Sequence, residues 1–209
     1  MRPNPFPIFA LLVSRRCVIV GGGRVGTSKA VDCVAAGGRV IVIAPRASSR
    51  IRQLAKAGRL VWHPRTFRAR DVNRAFLVVA ATDLPRVNQS VFASARASGA
   101  LCNVVDDPEH CDFFYPAVVH RGPLQIAIST SGRSPALAHR LRVQLERQFG
   151  PEYAQWVEHV GALRRKLLAR KLPPDRKREL LEELVAPEAF TEWVGKRRPR
   201  RKSAARRDG

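Results

Sequence analysis

The sequence lacks most of what would mark a metal centre, a membrane span or a secreted scaffold. Its four cysteines, Cys17, Cys33, Cys102 and Cys111, show no C-x-x-C spacing, and each lies in or beside an apolar stretch. Thiols so placed pack as small hydrophobes and stay reduced, which fits a cytoplasmic protein rather than a disulfide framework. His63, His110, His139 and His159 have no metal-ligand spacing either, so no metal site is expected. No window approaches the ~18 apolar residues that a membrane span requires. The apolar stretch from Phe6 to Val13 contains Pro7 and runs into Ser14-Arg15-Arg16 instead of a small-residue cleavage site. It reads as a strand or an approach segment and not as a signal peptide. Internal repeats are absent. Acidic residues are scarce: 17 Asp and Glu stand against 38 Lys and Arg, a net charge of +21. The last fourteen residues, Lys196 to Gly209, carry +7 of this and leave +14 on the body. Such a field attracts polyanions, and charge alone does not separate nucleic acid, anionic lipid and a polycarboxylate substrate.

Apolar residues make up 45% of the 209, enough for a packed core. Cys17 to Val20 is a β-branched run that ends in glycines. A helix follows over 24–36, Gly37-Gly38 stops it, and Arg39 to Ile43 forms a second buried strand closed by Pro45. Strand, glycine turn, helix and strand in this order make a βαβ unit, whose parallel strands are continuous apolar runs. The alternation continues with a helix over 49–57, a strand over 60–62, a helical turn at 71–74, a strand over 76–81, a helix over 87–97 and a strand over 101–105. Residues 1–112 therefore read as an α/β domain: a Rossmann-like, doubly wound parallel sheet of about five strands. The character then changes. Runs over 113–120 and 123–129, joined by Arg121-Gly122, read as a β-hairpin. Ser134-Pro135 opens a helix with Leu137, Leu141, Leu145 and Phe149 on one face, completing a region over 113–150. A small helical domain over 151–195 is broken at Pro173-Pro174 and near Pro187, and 196–209 reads as a disordered basic tail.

Gly21-Gly22-Gly23-Arg24-Val25-Gly26 contains G-x-G-x-x-G after a strand and at the opening of a helix. That context brings backbone N–H groups and a helix N-terminus to a dinucleotide pyrophosphate. The acid expected at the end of the second strand, for the ribose 2′-OH, is missing. The sequence there is Ile43-Ala44-Pro45-Arg46, and Arg46 with Ser48 and Ser49 suits a 2′-phosphate, so these residues by themselves favour NADP.

Several segments together resemble the precorrin-2 dehydrogenase family, the N-terminal module of siroheme synthase and its stand-alone relatives. They are Phe6-Pro-Ile-Phe9, the glycine turn followed by Lys29, Val42-Ile-Ala-Pro45, Ala80-Ala-Thr-Asp83 with Asn88, Asn103-Val-Val-Asp-Asp-Pro108, Cys111-Asp-Phe113 leading to Pro116-Ala117, Arg121-Gly-Pro-Leu124, Ala127 to Gly132, and Ser134 to Leu137. The resemblance covers about residues 6 to 150, in order. It implies NAD-dependent oxidation of precorrin-2 to sirohydrochlorin, NAD as cofactor despite the missing acid, and a homodimer built through the region 113–150. Some members of the family also insert Fe2+ into sirohydrochlorin, which leaves a bifunctional enzyme as an alternative. Gly26 stands where the family often has Ala, and His120 where an acid commonly precedes the Arg-Gly segment.

Cofactor contacts are expected from Gly21, Gly22, Gly23, Arg24, Val25, Gly26, Ala44, Pro45, Thr82 and Asp83. Asp106, just after the fifth strand, matches the family's catalytic aspartate and is expected to act as general base at the carboxyl edge of the sheet. Its neighbour Asp107 is the rival, with ordinary turn chemistry before Pro108 as the plain explanation of both. Asn103, Ser129, Thr130, Ser131 and Arg133 are expected to bind substrate, the last four beside a helix N-terminus suited to a carboxylate. An eight-carboxylate substrate accounts for the basic body without nucleic acid. The rival from another class is a non-catalytic dinucleotide-sensing or nucleic-acid-binding module, for which the tail lacks interleaved aromatics and a recognition fold.

Overall fold

The structure, a computed structural model, describes residues 4–197. The chain divides into two compact units, one ending at Tyr115 and one beginning at Pro116.

The first unit is a parallel sheet with helices on both faces. Its elements are β1 (Arg16–Val20), α1 (Arg24–Ala35), β2 (Arg39–Ile43), α2 (Ser49–Lys56), β3 (Val61–His63), β4 (Leu77–Ala80), α3 (Pro85–Ala97) and β5 (Leu101–Val104). The five strands lie in the order β3-β2-β1-β4-β5, and every pairing is parallel. Alternate side chains of a strand point to opposite faces, so a strand buried on both sides must be apolar throughout. Cys17 and Ile19 of β1 join Val42, Val79, Ala30, Cys33 and Ile51 in one core, against α1 and α2. Val18 and Val20 join Val78, Ala80, Val91, Ala95 and Cys102 in the other, against α3. Each such Val or Ile contributes ~1.5–3 kcal/mol by leaving water.

Two local expectations change, and one open alternative closes. Residues 4–12 form no strand, and Phe6 and Leu11 are 86% and 82% exposed, so this stretch is only an approach to β1. The expected helical turn at 71–74 is a 3-10 turn at Ala69–Val72, closed at the start by Asp71, whose carboxylate accepts from the Arg68 N–H at 2.8 Å. The first hairpin strand starts at Ala117, not Phe113. The Asn103 amide donates to the Phe113 carbonyl at 2.9 Å, and the Phe113 ring packs on the first core, which ties 113–115 to the sheet.

The second unit contains β6 (Ala117–Arg121), β7 (Leu124–Ile128), α4 (Pro135–Gln148), α5 (Glu152–Leu168), α6 (Pro174–Glu183) and α7 (Pro187–Arg197). Arg121 belongs to the hairpin ladder opposite Leu124, so the turn is Gly122-Pro123, with Gly122 at φ +56°. The Arg121 guanidinium donates to the carbonyls of Phe149 and Glu146, closing the end of α4. Prolines start the helices: Pro135 follows Ser134, whose hydroxyl accepts from the Leu137 N–H, and Pro174 and Pro187 open α6 and α7. Helix α7 takes in Lys196 and Arg197, and the rest of the expected disordered tail lies outside the described residues. No described helix is long and apolar enough to cross a membrane.

Candidate functional site

In a parallel sheet all strands end at one edge, and the turns after them are where backbone groups are free to meet a ligand. At that edge the first unit holds a cavity of about 980 Å3. The glycine turn after β1, the Ala44-Pro45 turn after β2 and the Thr82-Asp83 turn after β4 all line it.

The glycines act differently from one another. Gly21 has φ +119°, and a Cβ there would sit 2.1 Å from the Ala81 carbonyl oxygen, so the turn closes only without a side chain. Gly23 has an ordinary φ of −75°, and a Cβ there would meet nothing within 4 Å. Its missing side chain leaves space in the cavity directly ahead of α1. That helix has no side-chain cap and no acidic residue in its first turn. An N-terminus of this kind presents donors and the positive end of its dipole to an anion. Gly26 does not line the cavity but packs beneath it, against Gly21. The site residues present thus fit a dinucleotide pyrophosphate.

Neighbouring contacts hold the turns in place. The Thr27 hydroxyl donates to the Gly23 carbonyl at 2.7 Å and lies 2.8 Å from the Ser48 hydroxyl, while the Ser48 N–H donates to the Gly22 carbonyl at 3.0 Å. Ser48 also caps α2 through Ile51. With these bonds Ser48 ties the glycine turn to the loop after β2. Arg46 lines the cavity. Trp62 donates to the Ala44 carbonyl at 3.0 Å. Asn88, buried in α3, accepts from the Thr82 hydroxyl at 2.7 Å and donates to the Thr82 carbonyl at 2.9 Å. It fixes the turn that carries Asp83.

Asp106 follows β5 at the same edge. It is exposed and sits at φ +60°, in the left-handed region that non-glycine residues seldom occupy. Asp107 instead bonds the His110 ring at 2.7 Å within the following 3-10 turn. The two neighbouring carboxylates are therefore in different situations, one engaged in the turn and one facing solvent. Asn103 is buried, with its amide on Phe113 and Cys111. Ser129, Thr130, Ser131 and Arg133 lie in the second unit, in a turn that orders itself: the Ser129 hydroxyl accepts from the Ser131 N–H, the Thr130 hydroxyl from the Ser134 N–H, and the Thr130 carbonyl from the Arg133 N–H.

A family model described as "Putative NAD(P)-binding" matches residues 8–117, and a model for the central part of sirohaem biosynthesis proteins matches residues 121–148. A siroheme synthase of Neisseria meningitidis is 38% identical over 161 residues, which is 77% of this chain and 33% of the relative. Another from Actinobacillus pleuropneumoniae is 34% identical over 187 residues, 90% of this chain and 38% of the relative. The chain belongs to the siroheme synthase and precorrin-2 dehydrogenase family. It spans about a third of the length of these curated relatives. A solved structure titled "SirC, precorrin-2 dehydrogenase" superposes with a TM-score of 0.81 at 26% identity, covering 92% of this chain and 96% of that one. The family model describes an NAD(P)-binding domain, and the lining of the cavity after β1 fits such a dinucleotide.

Sequence reasoning missed part of the cavity wall. Thr66 and Phe67 come from an irregular loop after the short β3, which no periodicity marks. Arg86, in the first turn of α3, had a usable signal, because a helix that follows a parallel strand begins at the ligand edge.

Proposed function

We propose that this chain oxidises precorrin-2 to sirohydrochlorin in siroheme biosynthesis, with NAD as the hydride acceptor. The observation that carries this reading is the near-complete mutual coverage with a precorrin-2 dehydrogenase structure, in a chain whose glycine turn leaves the α1 N-terminus open to a pyrophosphate. Bound in the cavity, NAD would supply the acceptor for the hydride that the macrocycle loses. The chain's own residues do the rest. Gly21, Gly22, Gly23, Arg24 and Val25 would hold the pyrophosphate, and Ala44 and Pro45 line the same cavity. Asn88 positions Thr82 and Asp83. Asp106 takes up the proton released with the hydride, its free carboxylate facing solvent where a large substrate can reach it. Ser129, Thr130, Ser131 and Arg133 engage substrate carboxylates, and the basic body draws in a polycarboxylate.

The region 113–150 acts as the dimerisation region of a homodimer. A two-stranded ribbon is marginal alone. Val119 is the one fully buried residue of β6 and β7, and Leu137 on α4 stays 47% exposed. A partner copy would cover these faces. The four cysteines stay as thiols with no disulfide among them, which fits a cytoplasmic location.

The test is anaerobic turnover of precorrin-2 with NAD, following NADH and sirohydrochlorin together. Wild type is expected to form both in equal amounts, and Asp106→Ala to lose at least roughly a hundredfold in rate, as for loss of a general base. Equal rates in the two would remove Asp106 from the mechanism, and no NADH from wild type would end the dehydrogenase reading. A parallel arm with Fe2+ reads whether the same chain also metallates its product.

A further inference from the structure

The edge of the sheet opposite the dinucleotide cavity holds a second cavity, of about 800 Å3, lined by the segments that lead into β1, β2, β3 and β4. Each of these entries brings arginine: Arg15 and Arg16 at β1, Arg39 at β2, Arg59 at β3 and Arg74 at β4. No Asp or Glu lines it. Among the described residues none of the five guanidinium groups has a carboxylate within ion-pair distance. Arg15 lies over the Phe76 ring, 5.2 Å from its centroid. Arg16 donates through Nη2 to the Asp71 backbone carbonyl at 3.0 Å, yet its Nε is buried with no hydrogen-bond partner.

Buried donors are normally satisfied, and like charges normally sit apart or beside acids. Here five cations converge on one concavity from four successive strand entries. The chain holds two non-glycine residues there in the left-handed region, Ser14 at φ 59° and Arg74 at φ 58°. Backbone of that kind clusters at ligand clamps. Oxyanions would relieve the repulsion and supply acceptors to the guanidinium forks. The floor is apolar, with Val40, Leu60 and Phe76, and the volume falls in the range of small-molecule pockets. The convergence on a concavity at one end of the sheet, rather than along a stripe, favours a compact ligand over a polymer.

We propose that the amino edge of the sheet is a second ligand site, which takes a small, multiply phosphorylated molecule of nucleotide size. It is separate from the dinucleotide cavity, which the same strands bound at their other ends, and it does not depend on the oxidation chemistry.

The test uses the full chain saturated with NAD, so that the dinucleotide cavity is blocked. ATP, inorganic tripolyphosphate and a single-stranded oligonucleotide are titrated calorimetrically into wild type and into the double variant Arg39→Gln/Arg59→Gln. A matched variant, Arg50→Gln/Arg147→Gln, removes two exposed arginines outside both cavities. At least one small phosphorylated ligand is expected to bind saturably. The basin variant should weaken it roughly tenfold or more, while the matched variant leaves it unchanged. Tighter binding of ATP than of tripolyphosphate assigns the site to nucleotides, and equal binding assigns it to the phosphates alone. Unaltered melting temperature and NAD affinity in the basin variant exclude a folding defect. Three outcomes would overturn the proposal: no saturable binding in the presence of NAD, equal weakening by the matched pair, or binding of the oligonucleotide alone.

Discussion

In the unit that ends at Tyr115, the central strands are sealed on both faces, and Val18, Ile19, Val78 and Val79 are completely buried. From Pro116 onward, the buried apolar residues among those described are Val119, Ala138, Trp156 and Leu167, spread over the hairpin and two helices. The rest of that unit relies on aromatic contacts such as the stacking of Tyr153 on Phe190 at 4.5 Å and the packing of Trp156 against Trp193 at 5.4 Å. The difference shows where each half gets its order. The sheet itself is packed from both faces, although the stretch ahead of β1 in the same unit leaves Phe6, Ile8, Phe9 and Leu11 exposed. The hairpin and α4 hold one buried apolar residue each, Val119 and Ala138, and leave Leu137 47% exposed.

The largest effect is expected at Gly21. Gly21→Val puts a branched side chain at φ +119° against the Ala81 carbonyl, and is expected to cost at least about 3 kcal/mol and to lower the melting temperature of the first unit. A substitution in the second unit should behave differently. Leu137→Asp, on an exposed position of α4, is expected to change stability by less than about 1 kcal/mol at low protein concentration, yet to shift the sedimentation profile from dimer to monomer. A stable dimer in that variant would show that α4 is not the dimer face.

A smaller effect concerns the base of the first unit. Asp71 is buried and takes both prongs of Arg65, at 2.8 and 2.7 Å. The Arg65 hydrogen bonds hold its carboxyl below the ordinary value of 3.8, outweighing the opposing effect of burial. The unfolded chain therefore takes up the proton first as pH falls. The stabilisation is complete above the unfolded value and is lost as pH drops through the folded one. Asp71→Asn should cost about 1–3 kcal/mol at neutral pH, and the gap to wild type should close in acid below that range. Denaturant melts at a series of pH values measure it, and a gap that stays constant into acid would contradict the assignment.

The sheet was legible from the residues because burial on both faces demands uninterrupted β-branched runs, and Arg39 to Ile43 matches β2 residue for residue. The glycine turn was legible because backbone geometry requires those residues. Beyond Val104 the sequence was less direct. Phe113 to Tyr115 look like strand by composition, but the Asn103 amide and the first core hold them, a long-range effect that no local pattern carries. Asn88 was recognisable as a polar residue near the site, but its role in fixing Thr82 was not, because that depends on how α3 begins beside the turn after β4. The arginines of the amino edge were visible only as excess charge, since parallel strands gather residues that lie far apart in the chain.

The proposed oxidation depends on a cofactor held at the open N-terminus of α1. The most direct measurement is NAD affinity and precorrin-2 turnover of Gly23→Asp, beside its melting temperature. A side chain at this position meets no neighbour within 4 Å, and Asp is a good helix cap, so the fold should be kept or gain a few tenths of a kcal/mol. The same carboxylate would take the pyrophosphate's place with the wrong charge. The melting temperature should be unchanged or slightly raised, with NAD binding and turnover both reduced by roughly a hundredfold or more. A folded variant that binds NAD and oxidises precorrin-2 like wild type would contradict that dependence.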